Sequence, residues 1–526
     1  MTAFSTPQQD RTTLKAPAAR HPDLTRGTWR DWLALGLLMF PVLLVAVDNT
    51  ALTFALPAIA RALGTSGVEL LWIVDAYPLV LAGLLVAMGS LGDRIGRRRL
   101  LIIGSIGFAA VSAATAFAPT AGWLIAGRAA LGFFGAMLMP STLSLIRNIF
   151  PDPNRRRLAI AIWAAGFSGG AALGPIFGGW LVEQFWWGAV LLVAVPIMLP
   201  LLAFGPAFIP ESRDPSPGRV DAPSILLSLL TMVPVVYGIK EYATKGPAPL
   251  ALGSIAFGLA MGAAFVRRQQ RLDSPLLDMS LFQNRVFSTA ITANVLALFS
   301  FNGFILFLAQ HLQLLEGMSP SAAGMAMIPA LLATVAAGLA VVPLVRKVRP
   351  GFVVAAGLGM SAGGYSLVTF GSHSNGPALL LAALLVLALG VGTAETISND
   401  LILGSVPAEK SGAASAISET GYEVGALLGT AVLGSILTAS YQHNLHLPAG
   451  VAEAAGGQGT AHAGETLAGA MDLAAGLPAP LADAVRQAAG SAFDSGVHVT
   501  AAIGLVLMAT AAVLAAVVLR QVPKAG

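Results

Sequence analysis

The chain has 526 residues, 56% of them hydrophobic and 11% charged, with a formal net charge of +4. A soluble domain carries about 25% charged residues, so an ordinary globular protein is excluded and membrane spans become the unit of counting. The absence of cysteine removes disulfides, thiolate metal sites and cysteine catalysis, and the seven histidines show no paired metal-ligand spacing.

The basic residues sit in short joints between apolar runs, which fits membrane orientation better than nucleic-acid binding. Residues 1–31 are polar and carry Arg11, Lys15, Arg20, Arg26 and Arg30. No small-residue cleavage site follows the first apolar run, so that run is expected to stay as a span. A spanning helix needs about 20 apolar residues. Fourteen are predicted: 32–61, 69–91, 99–118, 122–146, 157–182, 186–209, 220–240, 248–267, 286–313, 320–345, 351–370, 377–403, 411–439 and 498–520. An even count puts both termini on one side. With these joints 25 lysines and arginines fall on that side, four (Arg61, Lys240, Lys245 and Arg486) on the other, and Arg128 inside a span. Both termini are therefore expected in the cytoplasm of a bacterial cell, with the chain in the inner membrane. Clusters at Arg94/Arg97/Arg98/Arg99, Arg155/Arg156/Arg157, Arg267/Arg268/Arg271 and Arg346/Lys347/Arg349 fall on the same face.

The one long loop, about 440–497, is Ala/Gly-rich and predicted to be external. Its first half reads as flexible and its second as short surface helices interrupted by Pro478 and Pro480; a linker and an outer lid are both open readings. A shift of 255 residues lays Gly166, Gly170 and Gly174 of span 5 on Gly421, Gly425 and Gly429 of span 13. The expected organisation is a tail (1–31), a six-helix bundle (32–209), an inserted helix pair with linkers (210–285), and a second six-helix bundle (286–526) that includes the external loop. Two such parallel repeats form one transporter architecture, with the substrate path between them.

Between spans 2 and 3 lies GSLGDRIGRRRL, with Gly89, Gly92, Asp93, Arg94, Gly96, Arg97 and Arg98. Glycines permit a sharp turn, and an Asp–Arg pair at a helix end can hold one conformation and release another. This pattern resembles the signature loop of the major facilitator superfamily. Span 5 reads GFSGGAALGPIFGGW: Gly166, Gly170, Gly174 and Gly178 make one smooth stripe, and Pro175, followed by Gly178 and Gly179, marks a bend. It resembles the antiporter motif of exporters in that superfamily. AVDNTALTFALPAIA in span 1 and GRAALGFFGA in span 4, with Arg128 and Gly132, are similar to the remaining motifs of its fourteen-helix drug/proton antiporters. The similarity covers essentially the whole chain, but VVPLVRKVRPG after span 10 lacks the Gly-x-x-x-Asp signature.

Six carboxylates fall inside the predicted spans: Asp48, Asp75, Glu395, Asp400, Glu419 and Glu423. An ionised side chain at mid-membrane costs about 3 kcal/mol on insertion scales, so such residues default to a pathway or a relay. At about 1.5 Å per residue, Asp48, Asp75 and Arg128 come out at nearly one depth and are expected to form a charge cluster; for Asp75 a place just under the outer surface stays open. The resemblance implies that Asp48 and Arg128 serve proton coupling. Glu419 and Glu423 share a face of span 13, about 160° around the helix from its glycines. The glycine face is expected to grip the protein and the acidic face to line a cavity. Two close carboxylates do not both ionise cheaply in low dielectric, so one is expected to hold a proton. The resemblance likewise implies two acids in this helix. Glu395 is a further candidate; for Asp400, near the end of span 12, a place facing water stays open. Aromatic and methionine surfaces suit a lipophilic cation; the candidates are Trp72, Tyr77, Trp163, Phe167, Phe301, Phe304, Tyr422, Met137 and Met139.

Two near-motifs are dismissed. In GSVPAEKS, Glu409 stands where a phosphate loop needs its second glycine, and GLGMSA at Gly357 has no strand before it. With no nucleotide-binding module, the energy source is expected to be an ion gradient and no cofactor is called for. The expectation is an all-helical fourteen-span antiporter, a monomer and not an enzyme, with lipophilic cations, protons and membrane lipids as partners and no nucleic acid. A lipid, siderophore, self-made antibiotic or other metabolite is the alternative cargo.

Overall fold

A computed structural model describes residues 29–213, 221–272, 275–345, 347–371, 376–407, 411–448 and 450–522. The readings made on Arg11, Lys15, Arg20, Arg26, Arg346 and Glu409 lie outside them. Among the described residues fourteen helices are long and apolar enough to cross a membrane, as the hydropathy runs predict. Spans 1 to 6 are Trp29–Leu63, Gly67–Ile95, Arg97–Thr115, Ala121–Ile149, Pro153–Gln184 and Ala189–Phe208, the last interrupted at Val193. Spans 7 and 8 are Ala222–Lys245 and Pro249–Gln269. Spans 9 to 12 are Arg285–Leu315, Pro320–Leu344, Pro350–Phe370 and Gly376–Gly404. Span 13 combines Ser411–Leu428, a π-turn Gly429–Leu433 and Gly434–Asn444; span 14 is Ala479–Val518.

Local chemistry sets several starts. Ser66 accepts from the Glu69 backbone N–H while the Glu69 carboxylate accepts from that of Ser66, a complete capping box for span 2. Asp152 caps span 5 ahead of Pro153, and Ser319 caps span 10 ahead of Pro320.

The helices pack as two bundles with one pattern. Span 1 packs on 5, 2 on 4, 3 on 4 and 6; correspondingly 9 packs on 13, 10 on 12, 11 on 12 and 14. The bundles meet through span 5 against 10 and span 2 against 13. Spans 7 and 8 pair with each other, Arg268 donating two hydrogen bonds to Asp221 at 2.9 and 2.7 Å. Those bonds and one from Ser224 hold the Asp221 carboxyl below the usual carboxylate range. Span 7 then lies on span 2 of one bundle and span 13 of the other.

Two readings change. The last span is not 498–520 but the end of a 40-residue helix from Ala479; Pro480 sits in its first turn, where a proline costs no hydrogen bond. The first half of the long loop, read as flexible, contains helix Val451–Glu465, followed by Leu467–Ala475. Tyr441 ties these helices down, its hydroxyl 2.9 and 3.2 Å from the carbonyls of Ala463 and Thr466.

Candidate functional site

The site is framed by two glycine seams. On span 5 a Cβ at Gly170 would press on Ala46 and Leu43, and one at Gly178 would come within 2.6 Å of the Ala51 Cβ. Gly166 and Gly174 likewise lie against Met39 and Thr50, so span 1 seats on the stripe almost backbone to backbone. On span 13, Gly421, Gly425 and Gly429 do the same against Ile291, Val295 and Phe299 of span 9. The glycine face grips, as expected, and the acidic face is left toward the seam between the bundles.

One end of that seam is closed. The Gly179 side of the bend meets Pro320, and Gly324 meets the carbonyl of Pro175, so spans 5 and 10 touch through backbone. Ser321 donates to Glu183 across the same joint. Leu306 of span 9 is packed in the first bundle's core and Phe54 of span 1 in the second's. At the other end a cavity of about 410 Å³ reaches the loop between spans 2 and 3; Gly89, Asp93, Arg97, Arg147, Trp163 and Glu419 are among its lining residues.

At the mouth, Asp93 pairs with Arg97 at 2.6 Å while Arg94 is exposed. Glu211, which sequence reasoning missed, accepts from the backbone N–H of Arg98 at 3.0 Å. Arg98 in turn donates to the carbonyls of Pro206 and Ile209, both at 3.0 Å. Gly96 has φ +108° directly under the Glu211 carboxylate, so only glycine fits that turn. The signature loop is thus tied to the end of span 6 within its own bundle.

Inside, Glu419 lines the cavity and Glu423 lies one helical turn further in, 8% exposed. Glu395 of span 12 is within electrostatic reach of Glu419, and Tyr422 of all three glutamates. Trp163 and Phe167 stack at 6.3 Å, and Phe167 meets Tyr422 edge to face at 6.2 Å across the seam. Met137 and Met139 are buried, Met139 at the cavity wall. Phe304 packs instead against Phe307 and Tyr365 in the second bundle's core, while Asp400 is exposed and does not line this cavity.

Deeper still, Arg128 and Asp48 form an ion pair at 2.6 Å with 2% and 4% of their side chains exposed. Arg128 also donates to the Ile73 carbonyl at 3.2 Å and lies 4.6 Å over the Tyr77 ring. Tyr77 lies within electrostatic range of Asp48, Arg128 and Glu423. The expected three-member cluster is divided: Asp75 is fully buried and pairs at 2.9 Å with Lys240 of span 7, not with Arg128. Lys240 was expected in an outer joint; span 7 runs past it to Lys245, and its side chain is 1% exposed. Thr430 on the π-turn donates to the other oxygen of Asp75.

Two pseudo-repeated six-helix bundles, a helix pair against their seam, and a cavity between the bundles that is lined by Glu419 and closed at one end define a secondary carrier. Residues 38–430 match the model of the Major Facilitator Superfamily, and the chain belongs to that family. It is 52% identical over 500 residues to the multidrug efflux pump LfrA of Mycolicibacterium smegmatis, covering 95% of this chain and 98% of that protein. It is 37% identical to the methyl viologen resistance protein SmvA of Salmonella typhimurium, over 88% of this chain and 93% of that one. Among solved structures, an inward-facing, unoccupied bacterial homologue of the lysosomal transporter Spinster superposes with a TM-score of 0.61 at 17% identity, covering 94% of this chain and 99% of that one.

Proposed function

We propose that this multidrug efflux carrier exports lipophilic, mainly cationic compounds in exchange for protons across the bacterial cytoplasmic membrane, working as a monomer with both termini in the cytoplasm. The observation that carries the reading is Glu419 in the cavity wall beside Trp163, with Glu395, Glu423 and the Phe167–Tyr422 pair within electrostatic or ring contact of them. A flat organic cation is held by an aromatic face and a carboxylate together, each strengthened by exclusion of water. Methyl viologen, for which the 37% identical relative is named, is an aromatic dication of that kind.

The same carboxylates serve exchange. In the conformation seen here the cavity reaches the arginine-rich end, which the positive-inside rule assigns to the cytoplasm, so cargo would enter from there. Cargo seated on Glu419 and Glu423 displaces their protons; after the bundles rock, protons arriving from the other side displace the cargo. Asp48 and Arg128 lie one layer deeper, with the Arg128 guanidinium over the Tyr77 ring. A proton on Asp48 would loosen its grip on Arg128, which is how protonation would be transmitted to span 4.

The test is ethidium efflux from vesicles carrying the protein, with a proton gradient imposed and then collapsed. Gradient-dependent efflux lost in Glu419→Gln supports the reading; folded protein that moves no cationic dye under any gradient overturns the cargo class.

A further inference from the structure

Lys240 is the least expected charge in the molecule. A lysine ammonium is compact and strongly hydrated, and its burial requires replacement of its water by other partners. Here the replacements are specific. The Asp75 carboxylate lies 2.9 Å from Nζ, and the Trp72 ring centroid 4.0 Å from it. Thr430 donates to Oδ1 of Asp75, which orients the carboxylate and leaves Oδ2 for the ammonium. Leu79, Val236 and Leu427 form an apolar cluster against which Trp72 packs, and Asp75 and Lys240 are 0% and 1% exposed.

A carboxylate fixed by a hydroxyl, an indole face and an apolar surround are the components that bind a free organic ammonium. They come from three places in the fold: Trp72 and Asp75 from span 2, Thr430 from span 13 of the other bundle, and Lys240 from the helix pair. Thr430 stands on the π-turn, a wide turn of a kind found mostly at functional sites.

We infer that Trp72, Asp75 and Thr430 form a second cation-binding site, separate from the glutamate cavity, and that Lys240 is its built-in occupant. Lys240 thereby determines specificity: while it is seated, Asp75 is closed to free cations, and without it the site accepts a small primary ammonium. The inference concerns binding at this site and does not depend on what the glutamate cavity carries.

Truncation of Lys240 to alanine removes three methylene groups and the ammonium, a fragment whose free counterpart is n-propylammonium. The experiment measures thermal unfolding of the purified full chain in detergent, with n-propylammonium chloride against sodium chloride at equal ionic strength. Lys240→Ala is expected to gain several degrees with n-propylammonium only, about 5 °C near saturation. Wild type, whose site is filled, and Lys240→Ala/Asp75→Asn, whose carboxylate is gone, are expected not to respond. A folded Lys240→Ala protein that does not respond, or an equal response from the double variant, overturns the inference. Should Lys240→Ala not fold, Lys240→Met/Asp75→Asn decides: yield and unfolding temperature restored above both single variants support the paired site, and no restoration overturns it.

Discussion

The Asp48 carboxylate and the Arg128 guanidinium lie 2.6 Å apart in a nearly dry layer of the first bundle. Removing one partner of a buried pair strands the other at a cost of about 3–5 kcal/mol, so Arg128→Ala is expected to fall sharply in unfolding temperature. Asp48→Asn keeps the volume and one acceptor oxygen. It is expected to fold and bind dye but to lose gradient-driven efflux, as read by ethidium release; full efflux from this variant would remove Asp48 from coupling.

Glu419 and Glu423 share a face directed at the seam between the bundles. For a dication such as methyl viologen, Glu423→Gln is expected to weaken apparent affinity about tenfold, equivalent to about 1.4 kcal/mol. A neutral dye should change far less. Competition of each compound against ethidium efflux measures the difference, and equal losses for both would point to a structural effect.

The glycine stripe of span 5 provides an internal control. Gly178→Ala brings a methyl group within 2.6 Å of Ala51 and is expected to cost about 1–3 kcal/mol. Gly169 lies in the same helix with open space around its added Cβ, so Gly169→Ala should be neutral or slightly stabilising. Thermal unfolding of the two variants side by side checks this, and equal effects would contradict the close seam.

The joint between spans 5 and 10 must part if access alternates. The chain contains no cysteine, so Glu183→Cys/Ser321→Cys places the only two thiols where Ser321 now donates to Glu183. A short bifunctional thiol reagent is expected to join them in high yield and to stop efflux, with reduction of a cleavable reagent restoring it. Efflux that continues after complete cross-linking would show that this joint stays shut throughout the cycle.

Where the sequence predicted well, the physics was local or one-dimensional. Apolar runs locate the spans because a bilayer imposes one length on every helix, and rise per residue alone puts Asp48 and Arg128 at one level. Asp75 passed the same depth test but failed on direction, since depth says nothing of which neighbour a side chain faces. Lys240 was misplaced because a lysine at the edge of an apolar run reads as the end of the span, whereas a buried partner lets the helix continue through it. Glu211 carries no motif; its role exists only because the turn at Gly96 returns to the end of span 6. The long helix from Ala479 was hidden by its polar, alanine-rich first half, whose helix propensity is high but whose hydropathy is low.

The division of labour around span 13 has an evolutionary side. Gly421, Gly425 and Gly429 fasten the helix to span 9, while Glu419 and Glu423 lie on the other side of the helix. Scaffold and recognition are therefore encoded by interleaved but different codons. If the acidic face selects cargo, as proposed, substitutions there would change the range of compounds expelled while the frame is inherited intact, so a lineage under a new toxin would explore cargo without first risking its fold.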